Sequence, residues 1–344
     1  MTGPVLFRVD AGPGIGLGHL QRCLALSEAF GRLGTPSVFV VPSDSDAAER
    51  IASAGARLAP RILDGVAPGD SVDSARVVAH AQQLRAHAVV VDSYAVENGY
   101  LLALRRAGIR TIYLDDLAHE PLAAQLVVNG GVQATRLPYA SSTGDTQFLL
   151  GPTYALLRPR EVQLPRQLRE DVRQILITVG GDDRVGALPV LIDLISMLSG
   201  AFDVVVAVGP YVRSMDAIDA AVRRARRSVR VVRGALGLRE IAAQADLAVS
   251  AAGQTVYELL LMGTPTIALE TAENQHASLA ALADQGLVES VGAFGDAHFA
   301  DRLTASVNAL LAKSDTRRRL SETGQRVIDG CGADRVAAAV AVIS

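Results

Sequence analysis

The stretch VLFRVDAGPGIGLGHLQRCLAL, residues 5–26, combines three local patterns that decide the fold class. A short apolar run predicts a buried strand over Val5–Val9 that ends at Asp10. Four glycines crowd the following loop, and apolar residues then recur at helical spacing from Leu20. A strand, a glycine-rich loop and a helix in this order predict the first unit of a doubly wound α/β domain.

Short β-branched runs alternate with longer amphipathic stretches along most of the chain, which predicts parallel sheets with crossover helices. Residues 158–172, RPREVQLPRQLREDV, interrupt the alternation with two prolines and seven charged residues and predict a linker. The strand-like runs before the linker are VLFRVD, SVFVV, AVVVDS, RTIYLDD and QLVVN; those after it are QILITVGG, DVVVAVG, SVRVVRG, DLAVSAAG and TPTIALE.

We therefore predict an α/β protein of two Rossmann-like, doubly wound domains that face each other across a cleft. The N-terminal domain spans residues 1–157 and carries the glycine-rich loop, and the C-terminal domain spans residues 172–315. Residues 316–344 are expected to form terminal helices that pack back on the N-terminal domain. In such sheets, ligands bind outside the carboxyl ends of the strands.

The composition excludes several classes of function. The chain has 344 residues, of which 49% are hydrophobic and 20% charged, with a net charge of −3 and two distant cysteines. It lacks the basic excess of nucleic-acid-binding proteins, and no apolar run approaches the ~20 residues that span a bilayer. We expect a cytoplasmic monomer with a small-molecule partner, without a cofactor or metal, without membrane insertion and without nucleic-acid binding.

His19 directly follows the glycines, at the predicted N-terminus of the first helix. Glycines allow a backbone to approach a ligand closely, yet neither a G-x-G-x-x-G fingerprint nor a P-loop can be threaded through this loop. The positive end of the helix disfavours an imidazolium. We therefore expect a neutral imidazole with a nitrogen lone pair, as a general base requires. The alternative is a histidine that only caps or packs.

Acidic and hydroxyl side chains follow two further strands of the first half. Asp92, Ser93 and Tyr94 come directly after an apolar run, and Asp115 and Asp116 come after the next one. All of them could line the cleft at the carboxyl edge of the sheet. The alternative is that Asp92 and Asp115 cap the helices that follow.

The second half carries a pattern suited to a nucleoside diphosphate. The sequence TVGGDD follows a strand and is expected to open a helix, so Gly180 and Gly181 could present backbone N–H groups to a phosphate. Residues 250–255, SAAGQT, form a second small-residue turn before a helix, and Glu258 one turn later could accept hydrogen bonds from ribose hydroxyls. Asn274 and Gln275 follow the next strand and carry amides able to bind a sugar or phosphate.

Several segments, taken in order, resemble the UDP-sugar hydrolases of the pseudaminic acid pathway, the PseG family, which are relatives of the MurG-like GT-B glycosyltransferases. The G-x-G-H-x-x-R motif and the later G-P-x-Y-A-L-L-R stretch are typical of that family, whereas S-A-x-G-x-T-x-x-E is shared with the wider GT-B group. The resemblance covers roughly residues 5–290 and rests on RVDAGPGIGLGHLQRCLAL, VVDSY, YLDD, LVVN, LLGPTYALLRPRE, VGGDD and SAAGQTVYELLLMGTPTIAL…ENQ.

The resemblance implies a GT-B fold whose C-terminal domain binds UDP. The implied reaction is metal-independent hydrolysis of UDP-2,4-diacetamido-2,4,6-trideoxy-β-L-altrose, or a close analogue, by water attack at the anomeric carbon with inversion. His19 matches the catalytic histidine and Tyr94 a tyrosine of the same hydrogen-bond network, while Arg22 and Arg158 match cations that support the site or the structure. The residues expected to bind substrate are Gly16, Gly18, Arg22, Gly180, Gly181, Ser250, Ala251, Ala252, Gly253, Gln254, Thr255, Glu258, Asn274 and Gln275.

Two other functions remain open. A GT-B glycosyltransferase with a UDP-sugar donor would use His19 to activate an acceptor hydroxyl, and a non-catalytic UDP-sugar sensor would bind without turnover. Asp182 departs from the Ser or Thr that often follows the two glycines in the family. Its carboxylate either points away from the expected pyrophosphate, accepts hydrogen bonds from its own loop, or indicates a different ligand.

Overall fold

The computed structural model describes residues 3–11, 17–41, 45–58, 63–158, 166–234 and 238–343. The chain forms two compact units. The first consists of Met1–Pro159 together with Gly330–Ser344, and the second of Arg160–Asp329.

The first unit is built on a seven-stranded parallel sheet with the strand order β3-β2-β1-β4-β5-β6-β7. The order reverses between β1 and β4, the kind of switch point beside which doubly wound sheets bind ligands. Its elements in chain order are β1 (Val5–Val9), α1 (Gly18–Arg32), β2 (Ser37–Val40), α2 (Ser45–Ser53), β3 (Arg57–Leu58), α3 (Ser71–Leu84), β4 (Ala88–Asp92), α4 (Asn98–Arg106), β5 (Thr111–Leu114), β6 (Leu126–Asn129) and β7 (Gln147–Leu150).

The central strands of this unit are buried because helices cover both faces of the sheet. Every residue of β1 and β4 is buried, and the Phe7 ring stacks on Phe39 of β2 at 4.7 Å between centroids. Phe30 of α1 meets the edge of Phe7 at 6.2 Å. These aromatic contacts fix α1 against the sheet, and with it the side chains at the N-terminus of α1.

Arg8 is a charged residue inside a fully buried strand. Its guanidinium contacts two carboxylates, Asp73 Oδ2 at 2.6 Å and Asp10 Oδ1, and the Tyr100 hydroxyl donates to Asp73 Oδ1 at 3.0 Å. Burial opposes the charge of Arg8, but Asp73 and Asp10 outweigh it and hold its pKa above the ordinary value. A buried arginine is tolerated here because carboxylates pair it.

The second unit repeats the architecture with a six-stranded parallel sheet in the order β10-β9-β8-β11-β12-β13. The order reverses again, this time between β8 and β11. Its elements are β8 (Gln174–Thr178), α5 (Ala187–Ser196), β9 (Asp203–Val208), α6 (Met215–Arg224), β10 (Val229–Arg233), α7 (Leu238–Gln244), β11 (Leu247–Ala251), α8 (Gln254–Leu261), β12 (Thr266–Glu270), α9 (His276–Asp284), β13 (Glu289–Ala293), α10 (Phe299–Ala312) and α11 (Ser314–Val327).

Alternate residues of the second sheet point into two separate hydrophobic layers, as a pleated strand requires. Ile175 and Ile177 of β8 belong to the layer that α5 and α10 cover, whereas Leu176 belongs to the layer beneath α7 and α8. Burial on both faces explains why these strands are apolar throughout.

The last helix, α12 (Gly332–Val342), belongs to the first unit, although α11 belongs to the second. The expected terminal segment of residues 316–344 grouped the two helices, whereas the division between the units falls at Gly330. A Cβ on Gly332 would lie 2.3 Å from the carbonyl oxygen of Ala155, so only glycine allows this approach. Asp334 pairs with Arg32 at the end of α1, with 2.6 Å between Oδ1 and Nη2. The helix α12 therefore supports α1 directly.

Among the described residues, no helix is both long and apolar enough to cross a membrane.

Candidate active site

His19 lies in the first turn of α1, at the carboxyl edge of the first sheet, as the sequence predicts. Its side chain is buried, and its Nδ1 contacts Asp92 Oδ1. Asp92 ends β4, the neighbour of β1, with its carbonyl accepting a hydrogen bond from the Asp10 backbone at 3.1 Å. The parallel pairing of the two strands thus brings residues 73 positions apart into contact.

Arg22, one turn after His19 on α1, clamps the Asp92 carboxylate from the other side. Its Nε and Nη2 each donate to a different Asp92 oxygen at 2.7 Å, a bidentate geometry. Burial alone would raise the pKa of Asp92, but the charges of Arg22 and His19 reverse that effect and hold it well below its ordinary range. Asp92 is therefore ionised at neutral pH.

Arg22 also reaches a second carboxylate, that of Asp116. Its Nη1 lies 2.9 Å from Oδ1 and 2.8 Å from Oδ2 of Asp116, in the loop after β5. Burial opposes the charge of Arg22, but Asp116 and Asp92 outweigh it and raise its pKa well above the usual value. The donors of Arg22 are thus directed at two carboxylates, and its predicted contact with the substrate remains a prediction.

Tyr94 closes the cluster on the exposed side. Its ring meets the His19 ring edge to face, with 4.5 Å between centroids, and its hydroxyl donates to Asp116 Oδ2 at 2.9 Å. The side chain is 47% exposed, which makes it the part of the cluster most open to solvent. Partial burial of the hydroxyl and the Asp116 charge both oppose the phenolate and raise the pKa of Tyr94 above its ordinary value.

The proton positions in this cluster follow from its carboxylates, which only accept hydrogen bonds. Because Asp92 is ionised, the His19 nitrogen that contacts it, Nδ1, carries the hydrogen, and a neutral His19 presents a lone pair at Nε2. Tyr94 likewise directs its proton to Asp116 and keeps only lone pairs for any other partner. The cluster therefore offers two acceptors, Nε2 of His19 and Oη of Tyr94.

The two aspartates predicted as alternative helix caps have different roles. Asp92 caps no helix, since the next one, α4, begins at Asn98 with Glu97 at its N-cap. Asp115 Oδ2 accepts hydrogen bonds from the backbone of Leu117 at 3.2 Å and Ala118 at 2.8 Å, which closes a turn instead of capping a helix. The capping hypothesis is thus wrong for Asp92, and for Asp115 it holds only as the cap of a turn.

The remaining predicted residues of the first unit lie near this cluster in the chain. Gly18 is the first residue of α1, and Gly16 lies outside the described residues. Arg158 pairs with Glu28 of α1, with Nε and Oε1 3.1 Å apart. That contact places Arg158 beside the helix that carries His19.

In the second unit, the loop after β11 forms the predicted small-residue turn. Ser250 and Ala251 complete the buried strand, Ala252 donates to the Leu269 carbonyl at 2.9 Å, and Gly253 is the N-cap of α8. Glycine has no side chain to accept hydrogen bonds from the first turn of α8, where Gln254 and Thr255 lie. The positive end of this helix therefore suits an anion.

The Gly180–Gly181 turn lies beside the same helix but does not open one itself. Gly180 has φ +93°, and the Cβ of another residue there would lie 3.6 Å from Thr255 Oγ1. The prediction that TVGGDD opens a helix is wrong, because α5 begins only at Ala187 and Asp183 accepts from the Ala187 and Leu188 backbone at 2.8 and 2.9 Å.

Sequence reasoning missed both Asp183 as the cap of α5 and Gly209 as a support of the glycine turn. A Cβ on Gly209 would lie 2.2 Å from the Gly180 carbonyl oxygen, so the β9 loop packs directly under the turn. Asp182, which directly follows the two glycines, is partly buried within this turn. The usual capping signal is an Asp directly before the first residue of a helix. Asp183 lies four residues before the first residue of α5, so that signal does not find it.

Gln275 lies next to the α8 turn, and Asn274 beside it is exposed. The Gln275 Oε1 accepts from the Thr271 backbone at 2.9 Å, while its Nε2 lies 3.6 Å from the position that a Cβ on Gly253 would take. The structure thus brings Gly180, Gly253, Thr255 and Gln275 together at the carboxyl edge of the second sheet.

Glu258 occupies the second turn of α8 and is partly buried. Its Oε1 lies 3.7 Å from Nη2 of Arg239 on α7. This ion pair holds the Glu258 carboxylate next to α7. The predicted contact with ribose hydroxyls remains a prediction.

Comparison with known proteins places the chain among distant relatives. No protein-family model matches it. It is 22% identical over 279 residues to the uncharacterized protein MJ1062 of Methanocaldococcus jannaschii, a match that covers 77% of this chain and 55% of that protein. It is 25% identical over 200 residues to the spore coat polysaccharide biosynthesis protein SpsG of Bacillus subtilis, a match that covers 57% of this chain and 58% of that protein. The chain thus spans little more than half the length of these relatives.

Solved structures resemble the chain over nearly its whole length. MurG of Acinetobacter baumannii aligns with a TM-score of 0.69 at 16% identity, covering 99% of this chain and all of that one. The Streptomyces sp. SF2575 glycosyltransferase SsfS6, complexed with thymidine diphosphate, aligns with a TM-score of 0.63 at 14% identity and 99% coverage of this chain. The chain therefore has the GT-B fold of two Rossmann-like domains, which confirms the predicted fold class.

Proposed function

We propose that the protein is a nucleotide-sugar hydrolase in which the first unit activates water and the second unit binds the nucleoside diphosphate. The cluster of His19, Arg22, Asp92, Tyr94 and Asp116 would hold the nucleophile. The α8 turn and the glycines beside it would hold the diphosphate.

The observation that carries the proposal is the pair of acceptors, His19 Nε2 and Tyr94 Oη. A water molecule has two hydrogens and can donate one to each acceptor, which leaves an oxygen lone pair directed away from the protein. An alcohol has a single hydrogen and would leave one acceptor without a donor. Two acceptors on neighbouring rings, whose centroids lie 4.5 Å apart, therefore favour water as the nucleophile.

The charges support the division of roles between the two units. One guanidinium faces two carboxylates in the first unit, so that cluster is negative when His19 is neutral and repels a diphosphate. The α8 turn presents a positive helix end without an acidic cap, which attracts one. The thymidine diphosphate in the GT-B relative SsfS6 supports a pyrimidine nucleoside diphosphate as the ligand.

The chemistry then follows in one displacement. The water oxygen attacks the anomeric carbon, the bond from that carbon to the diphosphate oxygen breaks, and His19 Nε2 takes a proton from the water. The ionised Asp92 stabilises the imidazolium that forms. Attack opposite the leaving group inverts the anomeric centre, and the helix end stabilises the charge on the departing UDP.

The sugar is proposed from the resemblance to the pseudaminic acid pathway hydrolases. The substrate would be UDP-2,4-diacetamido-2,4,6-trideoxy-β-L-altrose or a close analogue. A role in polysaccharide biosynthesis, the description that SpsG carries, supports a substrate of this kind. The residues proposed to contact the nucleotide are Gly180, Gly181, Ser250, Ala251, Ala252, Gly253, Gln254, Thr255, Glu258, Asn274 and Gln275.

A glycosyltransferase is the second candidate, because the GT-B structures similar to the chain include enzymes with that name. It would use the same donor and the same histidine but an acceptor hydroxyl in place of water. The two reactions differ in whether UDP appears in the absence of an acceptor.

The test is UDP release from a panel of UDP-diacetamido-trideoxyhexoses, measured with and without sugar acceptors. We expect UDP and free sugar without an acceptor, and a loss of about 10²-fold or more in His19→Ala, because the general base is removed. His80→Ala, a change of a partly exposed histidine on α3, is the matched control and should leave the rate unchanged.

The other outcomes separate the candidates. Turnover that requires an acceptor would establish a transferase and contradict the hydrolase. Saturable binding of a UDP-sugar with no turnover under either condition would indicate a sensor. A His19→Ala variant as active as the parent would remove His19 from the mechanism.

A further inference from the structure

One carboxylate oxygen of Asp92 serves two side chains of α1. His19 Nδ1 contacts Oδ1, Arg22 Nη2 donates to the same oxygen at 2.7 Å, and the two nitrogens lie 3.4 Å apart. Because Nδ1 directs its hydrogen at Asp92, neither nitrogen accepts from the other. An imidazolium at His19 would therefore lie against a guanidinium that shares its counter-charge.

Asp92 and Arg22 act on the charge of His19 in opposite directions. A carboxylate in contact with a histidine favours the imidazolium, and a guanidinium at this distance disfavours it. Although burial opposes both charges, the opposite charges around them hold the pKa of Asp92 below and that of Arg22 above its ordinary value, so both stay charged at neutral pH. Asp92 is fully buried and Arg22 partly buried, so solvent screens their effect on His19 only weakly.

Among the described residues, the other ionisable groups near this histidine are uncharged or paired. Tyr94 contacts the ring, but burial and the Asp116 charge raise its pKa, so it carries no charge near neutrality. Asp116 is held by Arg22 Nη1, and burial raises the pKa of the Cys23 thiol. The loop of residues 11–18 contains no ionisable side chain. Elsewhere on α1 and the elements beside it, charged residues pair with one another: Arg8 with Asp10, Glu28 with Arg158 and Arg32 with Asp334.

We infer that Arg22 is a positioning residue that keeps His19 uncharged at neutral pH, because it offsets the Asp92 charge at the oxygen that both side chains share. The inference rests on the proposed hydrolase function and deepens it. Asp92 fixes the tautomer of His19, and Arg22 prevents the same carboxylate from charging the base before the nucleophile is bound. The positive end of α1 acts in the same direction as Arg22.

Removal of the guanidinium should shift the pH range in which His19 is a base. A charge within about 4–6 Å changes the pKa of an ionisable group by about 1–3 units. Without Arg22, the Asp92 charge would act on His19 alone, so the imidazolium would persist to a higher pH. A protonated histidine cannot accept a proton from the nucleophile, so activity would fall at neutral pH and recover at alkaline pH.

The experiment measures kcat/KM for hydrolysis of the UDP-sugar between about pH 5 and pH 9 in the parent, Arg22→Gln and Arg22→Lys. In Arg22→Gln we expect the acid limb of the profile to move upward by at least about one pH unit. Arg22→Lys keeps the charge, so its limb should stay within about half a unit, although an ammonium lacks the bidentate geometry and lowers the rate. A loss by the same factor at every pH in Arg22→Gln would show a merely structural role and overturn the inference.

A second readout follows the charge of His19 without turnover. In protein labelled with ¹³C at histidine Cε1, the His19 signal in the NMR spectrum is the one of six that is absent from His19→Ala. The pH at which this histidine is half-protonated should rise by at least about one unit in Arg22→Gln. Arg32→Gln, which breaks an arginine–aspartate pair farther along α1, is the matched control and should not change it. An unchanged His19 titration in Arg22→Gln overturns the inference.

Arg22→Gln leaves the buried Asp92 carboxylate without its guanidinium, and a variant that does not fold gives no titration. In that case the comparison is made in an Asp92→Asn background, which removes the carboxylate. There the guanidinium acts on His19 without Asp92, so the addition of Arg22→Gln should raise the pH of half-protonation by at least about one unit. Equal titration of His19 in the single and double variants would contradict the inference.

Failure of the inference differs from failure of the proposed function. If the parent releases UDP in water but Arg22→Gln changes neither the acid limb nor the His19 titration, the hydrolase stands and the inference falls. If the parent turns over no UDP-sugar of the panel, the proposed function falls, and the His19 titration alone supports or overturns the role of Arg22.

Discussion

Replacement of Asp92 by asparagine removes the one negative charge that contacts both His19 and Arg22. The carboxylate accepts two bonds from Arg22 at 2.7 Å, one from His19 Nδ1 and a weak one from Cys23 Sγ at 3.4 Å. An amide has a single oxygen, so it can accept hydrogen bonds either at the position of Oδ1, which faces His19, or at that of Oδ2, which faces Arg22 Nε. Both orientations of the substituted amide are therefore costly.

In one orientation the amide oxygen faces His19, and the NH₂ group opposes Arg22 Nε. The histidine then keeps its tautomer but loses the counter-charge of its imidazolium. At a hydrogen-bonding separation of about 3 Å and an effective dielectric constant of about 20, that interaction is worth at most about 5.5 kcal/mol. In the other orientation the NH₂ group donates to Nδ1, and Nε2 carries the hydrogen and cannot act as a base.

The expected loss of hydrolysis is thus about 10²- to 10⁴-fold in either orientation, since the same change in a Ser-His-Asp triad costs ~10⁴-fold. We expect kcat to carry most of the loss, because the contact strengthens as the imidazolium forms. The binding of UDP, which we assign to the second unit, should change little. The assay is the steady-state rate of UDP release together with UDP affinity by calorimetry.

Stability provides a second readout that needs no substrate. Asp92 is fully buried, and loss of one member of a buried ion pair costs about 3–5 kcal/mol. Arg22 keeps its contacts with Asp116, which favours the lower end of that range. Urea denaturation at pH 7 should show the difference.

The difference should depend on pH in a defined direction. The pKa of Asp92 is lower in the folded protein than its unfolded value of about 3.9, so its stabilisation is present above that value and is lost as the pH falls below it. The gap in unfolding free energy between parent and Asp92→Asn should narrow as the pH falls below about 4. A variant that hydrolyses within about threefold of the parent and unfolds at the same urea concentration would refute this account of the cluster.

Substitutions at Gly332 and at Gly253, each with a control variant, test other parts of the structure. Gly332→Ala places a Cβ 2.3 Å from the Ala155 carbonyl oxygen and should destabilise the protein by about 2 kcal/mol in urea denaturation, since the clash is with backbone. Gly31→Ala, in α1 with open space around it, is the control and should stabilise by about 0.5–1 kcal/mol; an equal effect of both would refute the packing argument. Gly253→Asp supplies a capping carboxylate to α8, so thermal stability should be kept while UDP affinity falls at least about 10-fold, and Gly253→Asn should lose less because it adds no charge. Equal UDP affinity in Gly253→Asp and the parent would remove the diphosphate from this turn.

The local patterns of the sequence were sufficient for the elements that carry the candidate site. The strand Val5–Val9 and the position of His19 in the first turn of α1 agree with the prediction, as does the turn that leads into α8. Apolar periodicity is set by neighbours along the chain and by burial on two faces of a sheet, so it can be read from short windows. The same reasoning failed at α5, where the cap is Asp183, four residues before the helix begins.

The sequence by itself determined two doubly wound α/β halves and a histidine at a helix N-terminus. Only the tertiary structure decided the partners of that histidine, because the neighbours of β1 in the sheet are set by strand order and not by position in the chain. Asp92 and Asp116 join His19 and Arg22 across separations of 70 to 94 residues, and the buried Arg8 finds Asp73 at a separation of 65. A charged side chain can be buried in these strands only where folding brings a counter-charge to it. The periodicity of apolar residues along the chain does not indicate which charged residues will pair.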